Sequence, residues 1–294
     1  MKILNFGSIN VDIVFSVNHI VHPAETISAR GMSVNPGGKG ANQSVALARA
    51  GATVLHAGQV GKDTEWMIQH LKKNGIDTRH VMVSQDTNGG QAIIQVDQSG
   101  QNSIIVFGGA NQAIPESLIG QALADMAPGD WLVLQNEINL TGKLITAAHA
   151  SGLKVCLNPS PITPDLLNAP LEQVDLFILN EIEGAALAEM PETSTATTLL
   201  DGLAKRFPQA AICLTLGADG SCYHEPNTPM LRQAAFPAEA VDTTAAGDTF
   251  SGYFLTSLIN GKTPAQALET ASRAAAITVS RPGALDSIPF YNEL

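Results

Sequence analysis

The sequence predicts an α/β protein with a doubly wound, mostly parallel sheet flanked by helices and a small inserted β-sheet lid. Three observations lead to this prediction. Short apolar runs alternate with helical patterns along most of the 294 residues. Two stretches interrupt this order and read as extended chain, and the C-terminal part is strongly helical. Strands covered by helices on both faces are typically continuous apolar runs, so we expect residues 1–294 to form a single domain.

The predicted elements follow one another along the chain. Gly51, Gly75 and Gly261 end three helical runs, and Thr263-Pro264 has the cap-then-proline order of a helix start. The runs that predict strands are 3–6, 53–57, 131–134, 154–157, 176–179 and 211–215. The runs that predict helices are 41–50, 63–71 with Asp63 as a candidate cap, 140–150, 181–188, 196–207, 247–260 and 263–279.

The two interruptions cover residues 11–34 and 78–107. Apolar and polar residues alternate well at 91–96, which is typical of a strand with one exposed face. We expect a small antiparallel sheet projecting from the main body, with its lid strands inserted from about 11–34 and 88–107. The apolar residues Ile93, Ile105 and Phe107 predict a surface that pairs with a second copy of the chain, giving a homodimer.

Composition excludes several classes of protein. The net charge of −11 argues against nucleic-acid and anionic-membrane partners. The three cysteines form no C-x-x-C pair, which argues against a cysteine zinc site or a disulfide scaffold. No run approaches the roughly 18–20 apolar residues that span a bilayer. We therefore expect a cytoplasmic protein.

The strongest chemical motif is Val-Asp-Thr-Thr-Ala-Ala-Gly-Asp-Thr-Phe at 241–250. Ala245, Ala246 and Gly247 precede a predicted helix, and their N–H groups would converge on one anion. Asp248 lies in the first turn, where a carboxylate can take a proton from a substrate hydroxyl during phosphoryl transfer. The alternative is that Asp248 is only a helix-start carboxylate, which is common.

Two further motifs suggest a ligand near the first strand. Asn-Pro-Gly-Gly-Lys-Gly-Ala-Asn-Gln at 35–43 is neither a Walker A loop nor a dinucleotide fingerprint, and alone it would be a tight turn. It nevertheless offers Lys39 and Asn42 to a ligand. Asn10 and Asp12 follow the first strand and face the same way on extended chain, so they are candidates for holding sugar hydroxyls. The alternative for this pair is an Asx turn.

Two more segments are candidates for ligand binding, but each also has a purely structural explanation. Asn180 and Glu183 have capping-box spacing, and they are also candidates for organising Mg²⁺, phosphate and water. The Gly-containing turn at 215–220 either supports a nucleotide or is a plain hairpin turn. The seven histidines show no metal-ligand spacing in the sequence.

Taken in order, the segments at 7–12, 38–43, 180–183 and 242–248 resemble those of the ribokinase-like (PfkB) carbohydrate kinases, and the resemblance runs to Ser287. It implies transfer of the ATP γ-phosphate to a sugar hydroxyl, with Asp248 as base and an anion hole at 245–247. The implied nucleotide-binding residues are Asn180, Glu183, Thr215, Gly217, Gly220, Gly247 and Ser272.

The same resemblance implies ribose as the first candidate sugar, ATP and Mg²⁺ as cofactors, and K⁺ as a monovalent cation. The implied sugar-binding residues are Asn10, Asp12, Gly38, Lys39, Asn42, Glu137 and Asp248. The implied K⁺ residues are Asp242, Thr244, Thr278, Arg281, Gly283 and Ser287.

Alternatives remain open at this point. Many relatives carry Thr-Gly in the lid strand where this chain has Asn88-Gly-Gly90, so deoxyribose, fructose or another ketose remain candidate substrates. A nucleoside kinase should offer an aromatic platform near the lid, but Phe107 is the only aromatic residue between Trp66 and Trp131. A non-catalytic sugar or nucleotide sensor would be favoured only if the base were missing. A dinucleotide-dependent oxidoreductase lacks its glycine fingerprint.

Overall fold

The computed structural model describes residues 1–294, and thirteen strands form two separate sheets. In chain order the strands are β1 (Ile3–Phe6), β2 (Asn10–Ser16), β3 (Gly31–Gly37), β4 (Val54–Gly61), β5 (Asp77–Ser84), β6 (Gly90–Val96), β7 (Asn102–Phe107), β8 (Trp131–Gln135), β9 (Lys154–Asn158), β10 (Leu176–Asn180), β11 (Ala211–Thr215), β12 (Ser221–His224) and β13 (Leu231–Gln233).

Seven α-helices lie between these strands in the chain, and two more follow the last strand. They are α1 (Lys39–Arg49), α2 (Trp66–Lys73), α3 (Ser117–Leu123), α4 (Thr141–Ala150), α5 (Pro164–Leu167), α6 (Glu181–Ala188), α7 (Ala196–Arg206), α8 (Ala246–Ile259) and α9 (Pro264–Val279). Local sequence explains several of their ends. As the sequence predicted, Thr263 caps α9 and Pro264 follows at the first helical position. The structure adds a capping box between Thr263 and Gln266. None of the helices is both long enough and apolar enough to cross a membrane.

The large sheet has the order β13-β12-β11-β10-β9-β8-β1-β4-β5. Strands β5, β4, β1, β8, β9, β10 and β11 pair in parallel, whereas β12 and β13 add an antiparallel edge. Strand β1 lies between β4 and β8, so the chain winds outwards from it in both directions. Ligands typically bind beyond the carboxyl ends of strands at such a switch point.

Helices cover both faces of this sheet, which therefore separates two hydrophobic cores. Neighbouring residues of β1 point into opposite cores, with Ile3 in one and Leu4 in the other, and both are fully buried. The two cores contain 34 and 29 buried residues. Burial on both faces explains the continuous apolar runs, and the predicted fold class is confirmed.

The second sheet is small and has the order β3-β2-β6-β7. We call it the lid sheet. Strands β2 and β3 pair antiparallel, and so do β6 and β7, but β2 and β6 run parallel to each other. The expectation of a wholly antiparallel lid is therefore wrong, because β2 continues directly from the β1 region and meets β6 in the same direction.

Two further details differ from the sequence-based expectations. The segment 77–84 forms β5 of the large sheet and not part of the lid sheet, because Val81 and Val83 pack on the main core and the strand pairs with β4. Asp63 does not cap a long helix. It lies in a short 3₁₀ turn before α2, and its Oδ1 accepts the Gly89 N–H at 2.8 Å.

Candidate active site

A glycine-containing turn carries the chain from β3 into α1 beside the end of β1. Gly38 has φ +93°, and a Cβ there would lie 2.6 Å from the Asn10 backbone nitrogen, so only glycine fits. Gly37 packs equally closely on Asp12 of β2, since a Cβ there would lie 2.2 Å from its Oδ2, and α1 with Lys39 and Asn42 begins directly after this turn. The motifs near residues 10 and 40, separate in sequence, therefore form one polar cluster.

Asn10 is oriented by Asn111, a buried residue that our sequence analysis did not identify. The Asn111 Nδ2 donates to Asn10 Oδ1 at 2.7 Å, and its Oδ1 accepts the Ile9 N–H at 3.0 Å. Gly90 packs against both amides: a Cβ there would lie 2.1 Å from Asn10 Oδ1 and 2.2 Å from Asn111 Nδ2. The sequence gives no sign that Asn111 orients Asn10, because 101 residues separate the two asparagines and only the folded chain brings them together.

Asp248 points from the first turn of α8 towards α1 and is only 6% exposed. Asn42 Nδ2 donates to its Oδ2 at 3.0 Å, and Gln43 Nε2 donates to its Oδ1 at 2.9 Å. Gln43 is itself held through its Oε1, which accepts from Gln135 Nε2 at 2.6 Å. Both carboxylate oxygens are therefore fixed by buried amides, and this orientation was not predicted.

A cluster of charged residues surrounds this carboxylate. Burial, followed by the charges of Glu137 and Asp248, raises the pKa of Asp12 to about 7. Burial also raises the pKa of Glu137, which accepts hydrogen bonds from the Ser8 hydroxyl and, at 3.3 Å, from the Lys39 N–H. Burial opposes the charge on Lys39, but Asp248 and Glu137 outweigh it and raise the pKa of that ammonium group.

The chain before α8 leaves backbone donors unpaired. The N-cap Ala245 has φ +60°, a left-handed conformation that turns the chain into the helix. The Ala246 N–H donates to Thr243 O at 3.3 Å, whereas the N–H groups of Ala245, Gly247 and Asp248 have no acceptor within the protein. A Cβ at Gly247 would meet open space. These donors suit an anion, with Ala246 contributing less than the sequence suggested.

A cavity of about 510 Å³ opens on the other side of this helix start. Five of the predicted nucleotide residues line it: Thr215, Gly217, Gly220, Gly247 and Ser272. Our sequence analysis missed the segment 235–240, which forms another wall of the cavity. Phe236 in that segment lies 4.7 Å from the Arg273 guanidinium, measured to the ring centroid. The residues are mostly small and apolar, as a flat heteroaromatic ring requires.

Asn180 and Glu183 do not line this cavity. They form the capping box of α6: Asn180 Oδ1 accepts the Glu183 N–H at 2.9 Å, and Glu183 Oε2 accepts the Asn180 N–H at 3.0 Å. The structure thus contains the capping box that the spacing of these two residues predicted. Glu183 is nevertheless only 8% exposed, and its charge acts on Lys39, so it contributes negative potential to the same region.

The predicted cation residues lie in the turn before α8, at the end of α9 and in the turns that follow α9. Asp242 joins the two turns, since Oδ1 accepts the Thr244 N–H at 2.9 Å and Oδ2 accepts the Gly283 N–H at 3.0 Å. Thr278 is fully buried and donates to Thr249 Oγ1 at 3.0 Å, whereas Arg281 points away and pairs with Glu293 at 2.7 Å. Ser287 donates to Ala284 O at 2.7 Å.

A switch-point fold with a polar cluster on one side of a helix start and a nucleotide-sized cavity on the other suits a kinase of small polar substrates. The family model for pfkB family carbohydrate kinases matches residues 1–290. The chain therefore belongs to the pfkB family of carbohydrate kinases, as its motifs implied.

Particular relatives are similar over their full length. A ribokinase of Haemophilus influenzae is 36% identical, with 98% of this chain and 95% of the relative covered. A ribokinase structure from Cryptococcus neoformans in complex with ADP is 35% identical, covers 99% of this chain and 98% of that chain, and has a TM-score of 0.87. An Arabidopsis thaliana ribokinase complexed with ribose and ATP is 29% identical, covers 99% and 96%, and also has a TM-score of 0.87.

Proposed function

We propose that this protein is an ATP-dependent kinase that converts ribose to ribose 5-phosphate. Asp248 takes the proton from the sugar hydroxyl, whose oxygen forms a bond to the γ-phosphorus. The bond between that phosphorus and the β–γ bridging oxygen breaks, and ADP leaves. The products are ADP and the phosphorylated sugar.

One observation carries this proposal: the start of α8 lies between the cavity and the polar cluster. Gly247 lines the 510 Å³ cavity, whereas the next residue, Asp248, contacts Asn42 and Gln43 in the polar cluster. A nucleotide in the cavity would present its terminal phosphate to the unpaired N–H groups of Ala245, Gly247 and Asp248. A sugar in the polar cluster would then place a hydroxyl beside the carboxylate, and this proximity supplies much of the acceleration in phosphoryl transfer.

The polar cluster fits a molecule that offers only hydroxyl groups. Asp12 and Glu137 offer carboxylate acceptors and Lys39 offers an ammonium donor beside the turn at Gly38. Asn42 already donates to Asp248, and its unpaired Oδ1 is a further acceptor. No aromatic platform for a nucleobase lies in this cluster. Deoxyribose and ketoses remain the competing substrates because Gly90 leaves the nearby lid strand without a side chain.

The cofactor set that we propose is ATP with Mg²⁺ and K⁺. Glu183 and Asn180 would act on a phosphate-bound Mg²⁺ through water, because their own groups bond to each other. Oxygens of Asp242, Thr244, Thr278, Arg281, Gly283 and Ser287, several of them main-chain carbonyls, would hold K⁺ in this proposal. Each ion supplies positive charge near the transferred phosphoryl group when it is bound.

Two properties complete the proposal. The lid sheet pairs with a second copy of the chain through exposed apolar residues of β7, including Ile105 at 63% and Phe107 at 51% exposure. We also propose a cytoplasmic location, which suits a chain whose three cysteines form no disulfide.

The test is a coupled assay of ADP release by the purified chain with ATP, Mg²⁺ and K⁺. The panel contains ribose, deoxyribose, fructose, other pentoses and adenosine. Ribose should give the highest kcat/KM, and ³¹P NMR should show a 5-phosphate product. Release of ADP with another sugar but none with ribose would exclude ribose as the substrate, and the proposal of a sugar kinase would still hold. Omitting K⁺ from the buffer tests the proposed cation in the same assay.

A further inference from the structure

A second group of possible ligands lies far from the polar cluster, in the loop that joins β2 to β3. His19, His22 and Glu25 lie in this loop, and one ligand atom from each lies within 4.8 Å of the other two. We call these three residues the lid-loop triad. It is the only group of three or more His, Cys, Asp or Glu residues in the chain that meets this criterion.

The chain folds tightly around the triad. The Glu25 N–H donates to His22 O at 3.1 Å, and the Glu25 carboxylate accepts the His22 N–H at 3.0 Å. Ala24, between them, has φ +65°, a left-handed conformation that costs energy for a residue with a Cβ. This turn directs the Glu25 side chain back towards His19, whose Nε2 lies 2.9 Å from Oε1 and 3.0 Å from Oε2.

The two imidazoles are stacked. Their ring centroids are 5.5 Å apart, and the ring planes differ by 26°. The His22 ring makes no hydrogen bond to any protein group, and its only partner in the turn is the His19 ring. A ring nitrogen of His22 is therefore available beside a carboxylate and a second imidazole.

The loop around the triad is anchored at several points. Arg30 Nη2 donates to Val17 O at 3.0 Å, and the Arg30 N–H donates to Ser16 O. On the opposite side, the Val21 N–H donates to Gln95 Oε1 of β6 at 3.0 Å. These contacts hold the triad in place before any ion binds, so less ordering entropy is lost on binding.

We propose that the lid-loop triad binds one divalent transition-metal ion of the zinc class through His19, His22 and Glu25, with water in the fourth position. Imidazole nitrogen and carboxylate oxygen are common ligands of such ions, at about 2.0–2.2 Å. Ligands of a tetrahedral ion then lie about 3.3 Å apart. The His19–Glu25 pair, at 2.9 Å, needs only a small separation to admit the ion, and the ion replaces the proton between them.

The alternative is that His19 and Glu25 form a simple hydrogen bond that stabilises the loop. The two explanations differ in what they require of His22. For the hydrogen bond, His22 supplies only its main-chain N–H, which any residue would provide. For a metal ion, the His22 ring is one of three protein ligands. A change of His22 to alanine therefore separates them.

A bound ion would fix the connection between two strands of the lid sheet. Strand β2 begins at Asn10 and includes Asp12, and β3 ends at Gly37, next to the turn into α1. The ion would thus stiffen the end of the lid sheet opposite the polar cluster. The inference does not depend on the proposed sugar or on catalysis.

The test is isothermal titration calorimetry of the full chain with ZnCl₂, without sugar or nucleotide. We expect one ion per chain, and affinity lowered about tenfold or more in His22→Ala and in Glu25→Gln. His149→Ala, which removes an exposed histidine on α4, is the matched control and should bind as the unchanged chain does. Co²⁺ should give visible absorption bands of a four-coordinate site that disappear in His22→Ala.

Two results would overturn the proposal. One is the absence of saturable one-to-one binding at micromolar Zn²⁺. The other is binding by His22→Ala with unchanged affinity, which would locate the ion elsewhere. Circular dichroism of each variant checks that the fold is retained, and His22→Ala keeps the main-chain contact to Glu25, so the turn should persist.

Discussion

Gln43 Nε2 donates a hydrogen bond of 2.9 Å to Asp248 Oδ1, across 205 residues of sequence. The amide is 1% exposed, and its Oε1 is held in turn by Gln135. The proposed base is therefore fixed by a chain of buried amides that runs from α8 through α1 to the centre of the large sheet.

Removing this donor should slow turnover. Gln43→Leu keeps the approximate shape but leaves Asp248 with one amide partner, and a hydrogen bond to a charged group contributes about 1.5–3 kcal/mol. We expect kcat to fall about 10- to 100-fold while the KM for ATP stays the same. Steady-state kinetics with a saturating sugar measure both. Gln69→Leu on the exposed side of α2 is the control, and an unchanged kcat in Gln43→Leu would contradict the positioning role.

Replacing the base itself should have a larger effect. Asp248→Asn keeps the side-chain size but removes the proton acceptor. A positioned general base typically raises the reaction rate about 10²- to 10⁴-fold. We expect that loss in kcat, with sugar binding by calorimetry retained within a few fold. Asp201→Asn, at an exposed position of α7, serves as the control. Turnover that survives Asp248→Asn would assign the proton transfer to another group.

Sugar use should depend on pH near neutrality. The pKa of Asp12 is raised to about 7, so its carboxyl is neutral below this pH and ionised above it. The ionised form accepts hydrogen bonds from two sugar hydroxyls, and kcat/KM for the sugar should rise as the pH is raised through 7. The profile of Asp12→Asn should lose this step. If the step remains in that variant, another group is responsible for it.

Stability should also depend on pH, through a histidine far from the solvent. His56 is fully buried between Ser44 and Gly7 O, and burial lowers its pKa to about 4. The unfolded chain binds this proton near pH 6.5 but the folded chain does not, so stability falls as pH decreases from 6.5 towards 4. Between pH 7 and pH 5 this group should account for about 2 kcal/mol.

Urea unfolding at both pH values measures this contribution. His56→Asn is less stable at pH 7 but should lose less additional stability at pH 5 than the unchanged chain. His149→Asn, at an exposed site, should retain the full difference. Equal pH dependence in His56→Asn and the unchanged chain would show that other groups cause the loss.

The proposed dimer can be tested on the outer face of the lid sheet. Ile105 is 63% exposed in β7, next to other exposed apolar residues, and Ile105→Glu would place a charge in the contact. Light scattering at micromolar concentration should show a dimer for the unchanged chain and a monomer for this variant. Met230→Glu changes an exposed apolar residue elsewhere and should remain dimeric. A monomeric unchanged chain would exclude the lid interface.

The large sheet could be predicted because its strands are buried on both faces, and such strands have a local signature. The predicted strand at 211–215 and the helix at 181–188 have the same limits in the structure. Strand β5 was assigned to the wrong sheet because alternation within a strand does not identify its neighbour. Only the pairing with β4, which depends on the path of the whole chain, decides that question.

The candidate site also contains some residues that could be predicted from the sequence and others that could not. Residues in glycine-containing motifs, such as Lys39 and Asp248, could be proposed from the sequence because turns and helix starts have local signals. Asn111 and Gln135 could not, since each is a buried amide whose partners lie about a hundred residues away or more. A hydrogen bond between distant segments leaves no periodicity in the sequence.

Gly90, the first residue of β6, has no side chain and packs against the amides of Asn10 and Asn111. Exchanging one hydrogen atom for a methyl group would move both amides, without removing any polar group that could hold a sugar. The range of ring substituents that the enzyme tolerates is therefore open to change by the smallest possible substitution. Selectivity in such a protein can diverge between relatives while the reaction that they catalyse stays the same.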